Sequence, residues 1–126
     1  MNTFLKLLIL LTFISAIPGV AAATPASAKK VKESGDKVTT NINGRCAAKW
    51  GDNYRMQKYC RKRQREGYNW VGRHINSNGW GKKANQKGRR FMILVKCWGK
   101  WSDKWKQNWP MVKYCVERQE SALRSL

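Results

Sequence analysis

The chain has 126 residues, 26 of them basic against 7 acidic, for a formal charge of +19, together with four cysteines, seven tryptophans and one histidine. That length holds one small domain at most. A single histidine and widely spaced cysteines argue against a metal site, and seven carboxylates leave little for acid–base catalysis, while the cation excess is larger than solubility requires and points to an anionic partner.

The chain opens with Lys6 followed by the apolar run 7–17, then Pro18-Gly19 and the small residues Ala21 to Ala23. This order reads as a secretory signal peptide over 1–22, with cleavage after Ala22 or alternatively after Ala23 or Ala28. The run is too short for a permanent membrane anchor. Its removal takes one of the 26 bases and none of the 7 acids, so the mature chain keeps a formal +18. Export, to a periplasm or to the exterior, would deliver the four cysteines to an oxidising compartment where paired thiols persist as disulfides. Residues 23–41 are polar, mixed in charge and without apolar period, and are expected to form a flexible leader.

From residue 42 the sequence contains a unit that it repeats. The first copy runs from Cys46 through Lys49-Trp50, Asp52, Tyr54, Met56 and Lys58-Tyr59-Cys60 to Arg63-Gln64; the second runs from Cys97 through Lys100-Trp101, Asp103, Trp109, Met111 and Lys113-Tyr114-Cys115 to Arg118-Gln119. All four cysteines lie in it, so it is a disulfide-framed unit. Cysteine and tryptophan four apart share one helical face in each copy, a polar turn follows, and Asn53 and Asn108 are candidate N-caps, with Pro110 tolerated in the first turn behind Asn108. Each copy therefore predicts a helical hairpin, over 42–66 and 91–126. Symmetric pairing, Cys46 to Cys60 and Cys97 to Cys115, is expected, with cross-pairing between copies as the rival. Met56, Tyr59, Cys60 and Gln64, and likewise Met111, Tyr114, Cys115, Arg118, Ala122 and Leu126, follow helical spacing. The recurring Trp50, Trp101, Tyr59 and Tyr114 are expected to form the core.

The first of these helices is expected to stop at Gly67. Residues 67–90, rich in glycine, asparagine and cations, then read as a loop-rich basic linker in which His74 is an ordinary loop residue. In 91–95 a helix leading into Cys97 is preferred to a strand, because Ile93, Leu94, Cys97, Trp98 and Trp101 share one face. The expected fold is thus mainly α: two disulfide-stapled hairpins in tandem.

The repeated pattern resembles a short cysteine and tryptophan motif of uncharacterised exported bacterial and phage proteins, where it usually occurs once near a chain end. Here it covers 46–64 and 97–119, and the second copy carries four extra residues around 104–107. The resemblance implies no activity.

No nucleophile is flanked by a base, and the acids read as structural: Asp52 and Asp103 in matching turns, Glu66 and Glu117 as partners for neighbouring cations. An enzyme is therefore not expected, a small hydrolase being the residual possibility, and neither metal nor cofactor is implied. Cations concentrate at Arg55, Lys58, Arg61, Lys62, Arg63 and Arg65 and again at Lys82, Lys83, Lys87, Arg89 and Arg90. These are the candidate anion-binding residues. Trp70, Trp80, Trp105 and Trp109, not demanded by the repeat or set beside lysine, are the candidate aromatic contacts. The expected function is binding to an anionic envelope polymer such as lipopolysaccharide, teichoic acid or an envelope glycan, or to extracellular nucleic acid. The alternative is a secreted antimicrobial or toxin-like protein acting at an anionic membrane surface.

Overall fold

A computed structural model describes the backbone of residues 25–126 and the side chains from residue 35 onward. The segment 1–22 expected to direct export lies outside the described residues. Residues 33–126 form one compact unit, which contains both copies of the repeat.

Four helices make up most of the described chain: α1 (Pro25–Trp50), α2 (Tyr54–Ser77), α3 (Arg89–Lys100) and α4 (Trp109–Arg124). Helix α1 takes in residues 25–41, and its apolar positions Val38, Ile42 and Cys46 recur every four residues, so the core reaches back to Val38 rather than beginning at 42. At Gly51, φ turns to +46°, which ends α1 in the left-handed conformation that glycine adopts without penalty. Asn53 caps α2 as expected, its side chain accepting from the Met56 N–H at 3.1 Å.

The two hairpins form with symmetric pairing, Cys46 to Cys60 and Cys97 to Cys115, each with Cα atoms 5.7 Å apart. In each, the first cysteine is buried and the second sits at the edge of the core. That geometry rotates the buried stripes away from the expected ones. Along α4 the buried residues are Trp109, Val112, Val116 and Glu120, and along α2 they are Gln57, Gln64, Gly67 and Val71. Tyr59 and Tyr114, expected in the core, are 56 % and 53 % exposed, while Trp50 and Trp101 are only half-buried at their helix ends. On α2 and α4 the disulfide cysteine sits at the flank of the buried face, so the tyrosine before it points outward.

Gly67 does not end α2. It is buried in the middle of the helix, where an added Cβ would stand 2.6 Å from the Trp109 carbonyl carbon and 2.7 Å from the Pro110 nitrogen. The close approach of α2 to the start of α4 thus outweighs the roughly 1 kcal/mol that a mid-helix glycine costs. Ten further residues, including His74, become helical. The linker shrinks to 78–88 and is ordered around a buried Trp80, whose carbonyl accepts from Gln86 Nε2 at 2.9 Å while Asn85 Nδ2 bonds the Gly79 carbonyl at 2.9 Å. Helix α3 follows as expected, with Leu94 and Cys97 buried and Ile93, Trp98 and Trp101 packed beside them.

The extra residues of the second copy make a small antiparallel ribbon, β1 (Ser102–Asp103) with β2 (Lys106–Gln107), Ser102 opposite Gln107. Asp103 accepts from the Trp105 N–H at 2.8 Å, and Arg45 of α1 donates to Asp103 at 2.7 Å and to the Lys106 carbonyl at 3.0 Å. Trp105 packs on Gly44, leaving no room there for a Cβ. The insertion therefore binds the second hairpin to α1 of the first. Asn108 occupies the N-cap position of α4 without making a side-chain cap bond. Instead Gln64 of α2 reaches across, accepting from the Trp109 N–H at 3.1 Å and donating to Asn108 Oδ1 at 3.0 Å.

Candidate anion-binding surface

Helix α2 presents one face to the core and the opposite one to solvent. At 100° per residue, Arg55, Lys58, Lys62 and Arg65 fall on a common solvent stripe, with Arg61 at its margin and Arg63 on the far side of it. All six are exposed. Because α2 continues past Gly67, Arg73 joins the same stripe, which then extends about 27 Å at 1.5 Å per residue. The sequence does not mark Arg73 as part of this stripe, because a helix ending at Gly67 excludes it. Tyr54, 74 % exposed, and Tyr59 flank the cations.

Counter-charge on this face is sparse. Among the described residues, Arg55, Lys58, Lys62, Arg63 and Arg73 have no carboxylate partner; Arg61 donates to Gln57 and Arg65 to Thr39. Glu66, expected as a local partner, makes no ion pair with its basic neighbours, and Glu117 pairs with Lys113 at 2.8 Å rather than with Arg118. Among the described residues, no α-helix carries an acid in its first turn. Arg55, in the first turn of α2, also faces the positive end of its dipole, an unfavourable placement of about 0.3–1 kcal/mol that an incoming anion would relieve.

The second group of cations is at the other end of α2. Lys82, Lys83, Lys87 and Arg89 are exposed on the loop 78–88 and the start of α3, beyond Ser77 and so about 18 Å along the helix from Arg65. Arg90 does not belong with them. It binds Glu120 through two nitrogens at 3.1–3.2 Å. Glu120 also accepts from His74 at 2.9 Å, and its side chain is only 7 % exposed. Burial pushes the Glu120 carboxyl up, but the hydrogen bonds and charges of Arg90 and His74 outweigh this and hold it below its ordinary value. At Asp103 desolvation is likewise outweighed, by the hydrogen bonds from the Trp105 N–H and Arg45 together with the charges of Arg45 and Lys104, and its carboxyl lies below its ordinary value.

The His74 ring stacks on Trp70 with centroids 4.7 Å apart and meets the edge of Trp80 at 5.5 Å. With a carboxylate on its Nε2 it has the orientation of a general base, yet among the described residues no hydroxyl or thiol is bonded to the ring. The cluster joins α2, α3 and α4 and works as a structural clasp.

The aromatic contact candidates take different places from those expected. Trp80 and Trp109 are buried at 6 % exposure, Trp109 between Tyr68 and Trp98. Trp70 is half-buried with Lys113 over its outer face, and Trp105 rests on Gly44. Large exposed aromatic surface belongs instead to Tyr54, Tyr59 and Tyr114. In the segment 104–109 Trp109 is buried and Trp105 part-buried while Lys104 and Lys106 are exposed, and no helix among the described residues is long and apolar enough to cross a membrane. Two disulfides and the absence of free cysteine among the described residues suit an oxidising environment.

No protein family, curated protein or solved structure matches this chain.

Proposed function

We propose that this is an exported binding module that attaches to a linear anionic polymer of the cell envelope or its surroundings through the solvent face of α2. The observation that carries the reading is the stripe from Arg55 to Arg73, five arginines and lysines along one helix that carries a single carboxylate, Glu66, which makes no ion pair with its basic neighbours. A flexible chain of like charge would be a solvated tail; a disulfide-held helix fixes the spacing of its cations. Repeated phosphates or carboxylates along teichoic acid, lipopolysaccharide or nucleic acid could span such a stripe, with Tyr54 and Tyr59 adding short-range contact. Export is supported by the order of residues 1–22 and by the two disulfides.

Binding driven by this stripe weakens steeply as salt rises, since each neutralised anionic site releases counterions. Titrations of teichoic acid, lipopolysaccharide, duplex DNA and uncharged dextran at two salt concentrations should show binding to one or more of the first three and none to dextran. Replacing Arg55, Lys58, Lys62 and Arg65 with Gln should lower affinity and flatten the salt dependence by about one unit of slope per lost phosphate contact. Unchanged affinity and slope in that variant would remove α2 from the binding surface.

A further inference from the structure

Between α3 and the end of α4 runs an open apolar groove of about 850 Å³, within the roughly 300–1,000 Å³ typical of small-molecule sites. Met92 and Ile93 form one wall, Ala122, Leu123 and Leu126 the other, and the Cys97–Cys115 disulfide closes its inner end. The groove opens to solvent: Met92 is 48 % exposed and Leu126 is 99 % exposed. Arg89, Lys96 and Lys100 line it as well, and at 100° per residue these three form one row along the α3 wall, between Met92 and Ile93. No Asp or Glu side chain is among the described residues that line the groove, and none of the three cations has a carboxylate partner among the described residues.

An apolar channel bordered on one side by unpaired cations is complementary to a molecule that is apolar along its length and anionic at one end. An uncharged apolar ligand would leave the cations unused, and a hydrophilic polyanion would leave the apolar walls wet. A second copy of the chain would bring like charge to like charge, because the facing edge would be equally basic. We infer that the α3–α4 groove binds a single-chain anionic amphiphile, its acyl chain lying between Ile93 and Leu123 and its carboxylate or phosphate head held by Arg89, Lys96 or Lys100. The site is separate from the α2 stripe and does not depend on that reading.

The probe is sodium dodecanoate, below its micelle concentration, titrated into the oxidised protein while methyl resonances are followed by NMR. Shifts should saturate at Met92, Ile93, Leu123 and Leu126, with dodecanol binding at least tenfold more weakly and hexanoate not saturating. Lys96→Gln with Lys100→Gln should weaken dodecanoate at least fivefold and bring it close to dodecanol. Met92→Gln with Leu126→Ser, both at well-exposed positions, should weaken dodecanoate and dodecanol together without changing the melting temperature or binding of anionic polymer. The assignment is overturned if no saturating shift occurs, if dodecanoate and dodecanol bind equally, or if the shifts fall on α2. It is also overturned if groove resonances shift with protein concentration alone and sedimentation shows a dimer.

Discussion

An extra methyl at Gly67 would collide with backbone, whereas Gly72, one and a half turns further along the same helix, has nothing within 4 Å of where its Cβ would be. The two glycines should therefore respond in opposite ways. Gly67→Ala should lower stability by about 1–3 kcal/mol through overpacking, while Gly72→Ala should raise it by up to about 1 kcal/mol through helix propensity, both read from thermal unfolding. Destabilisation by both would mean that α2 itself is strained; stabilisation by both would mean that α2 and α4 do not approach closely. Trp80 gives a second residue-scale test. Its indole is enclosed by His74, Phe91 and the side of Arg90, so Trp80→Ala should cost about 3 kcal/mol or more, and the basic linker around it should become sensitive to protease.

At the scale of elements, each hairpin is closed by a loop of 14 or 18 residues, and in the chain-entropy account each disulfide contributes about 3 kcal/mol. The two hairpins differ in what else binds them. Helix α4 is joined to α3 by the Arg90–Glu120 bonds and to α2 by the Gln64 cap and His74, whereas α1 is held to its neighbours by Arg45, Trp105 and the Arg65–Thr39 bond. Replacing Cys46 and Cys60 together by Ala should thus loosen α1 selectively, with amide exchange rising there first, while the corresponding change at Cys97 and Cys115 should lower the global melting temperature. Equal, global loss in both variants would show that α1 is not an independent unit of opening.

For the whole molecule, like charge opposes compactness, and the buried carboxylate of Glu120 is one of the few places where that repulsion is offset inside the fold. Its folded-state pKa lies below the ordinary value of 4.5. The stabilisation it contributes is therefore complete above pH 4.5 and is lost as pH falls through the lower folded-state value, when the protonated carboxyl no longer pairs with Arg90. Stability measured by denaturant titration should decline below about pH 4.5, and Glu120→Gln should be less stable at pH 7 by about 2 kcal/mol but shallower in its acid decline. A parallel pH profile for the variant would place the acid sensitivity elsewhere. Raised salt should stabilise the protein by screening its repulsion while weakening its hold on an anionic polymer, so the two effects of salt have opposite signs.

The sequence by itself determined the helical hairpins and the cationic solvent face, because each follows from local information: a repeat, a turn between two helical stretches, and a run of like charge; it favoured the symmetric cysteine pairing but left cross-pairing open, and the tertiary structure decided between them. Asn53 could be recognised as a cap since its partner is three residues away. Only the tertiary structure decided which aromatics are inside. Burial of Trp109 and exposure of Tyr59 and Tyr114 depend on how each helix is rotated about its own axis, and two rotations can satisfy the same spacing of cysteines, while Trp80 is buried because its loop folds back onto His74 and Phe91. Long-range partners were equally hidden: Gln64 capping a helix 45 residues away, and His74 meeting Glu120 across 46. Gly67 shows the reason most plainly, since a glycine that ends a helix and one that lets another helix come close are the same residue in a sequence, and only the neighbour tells them apart.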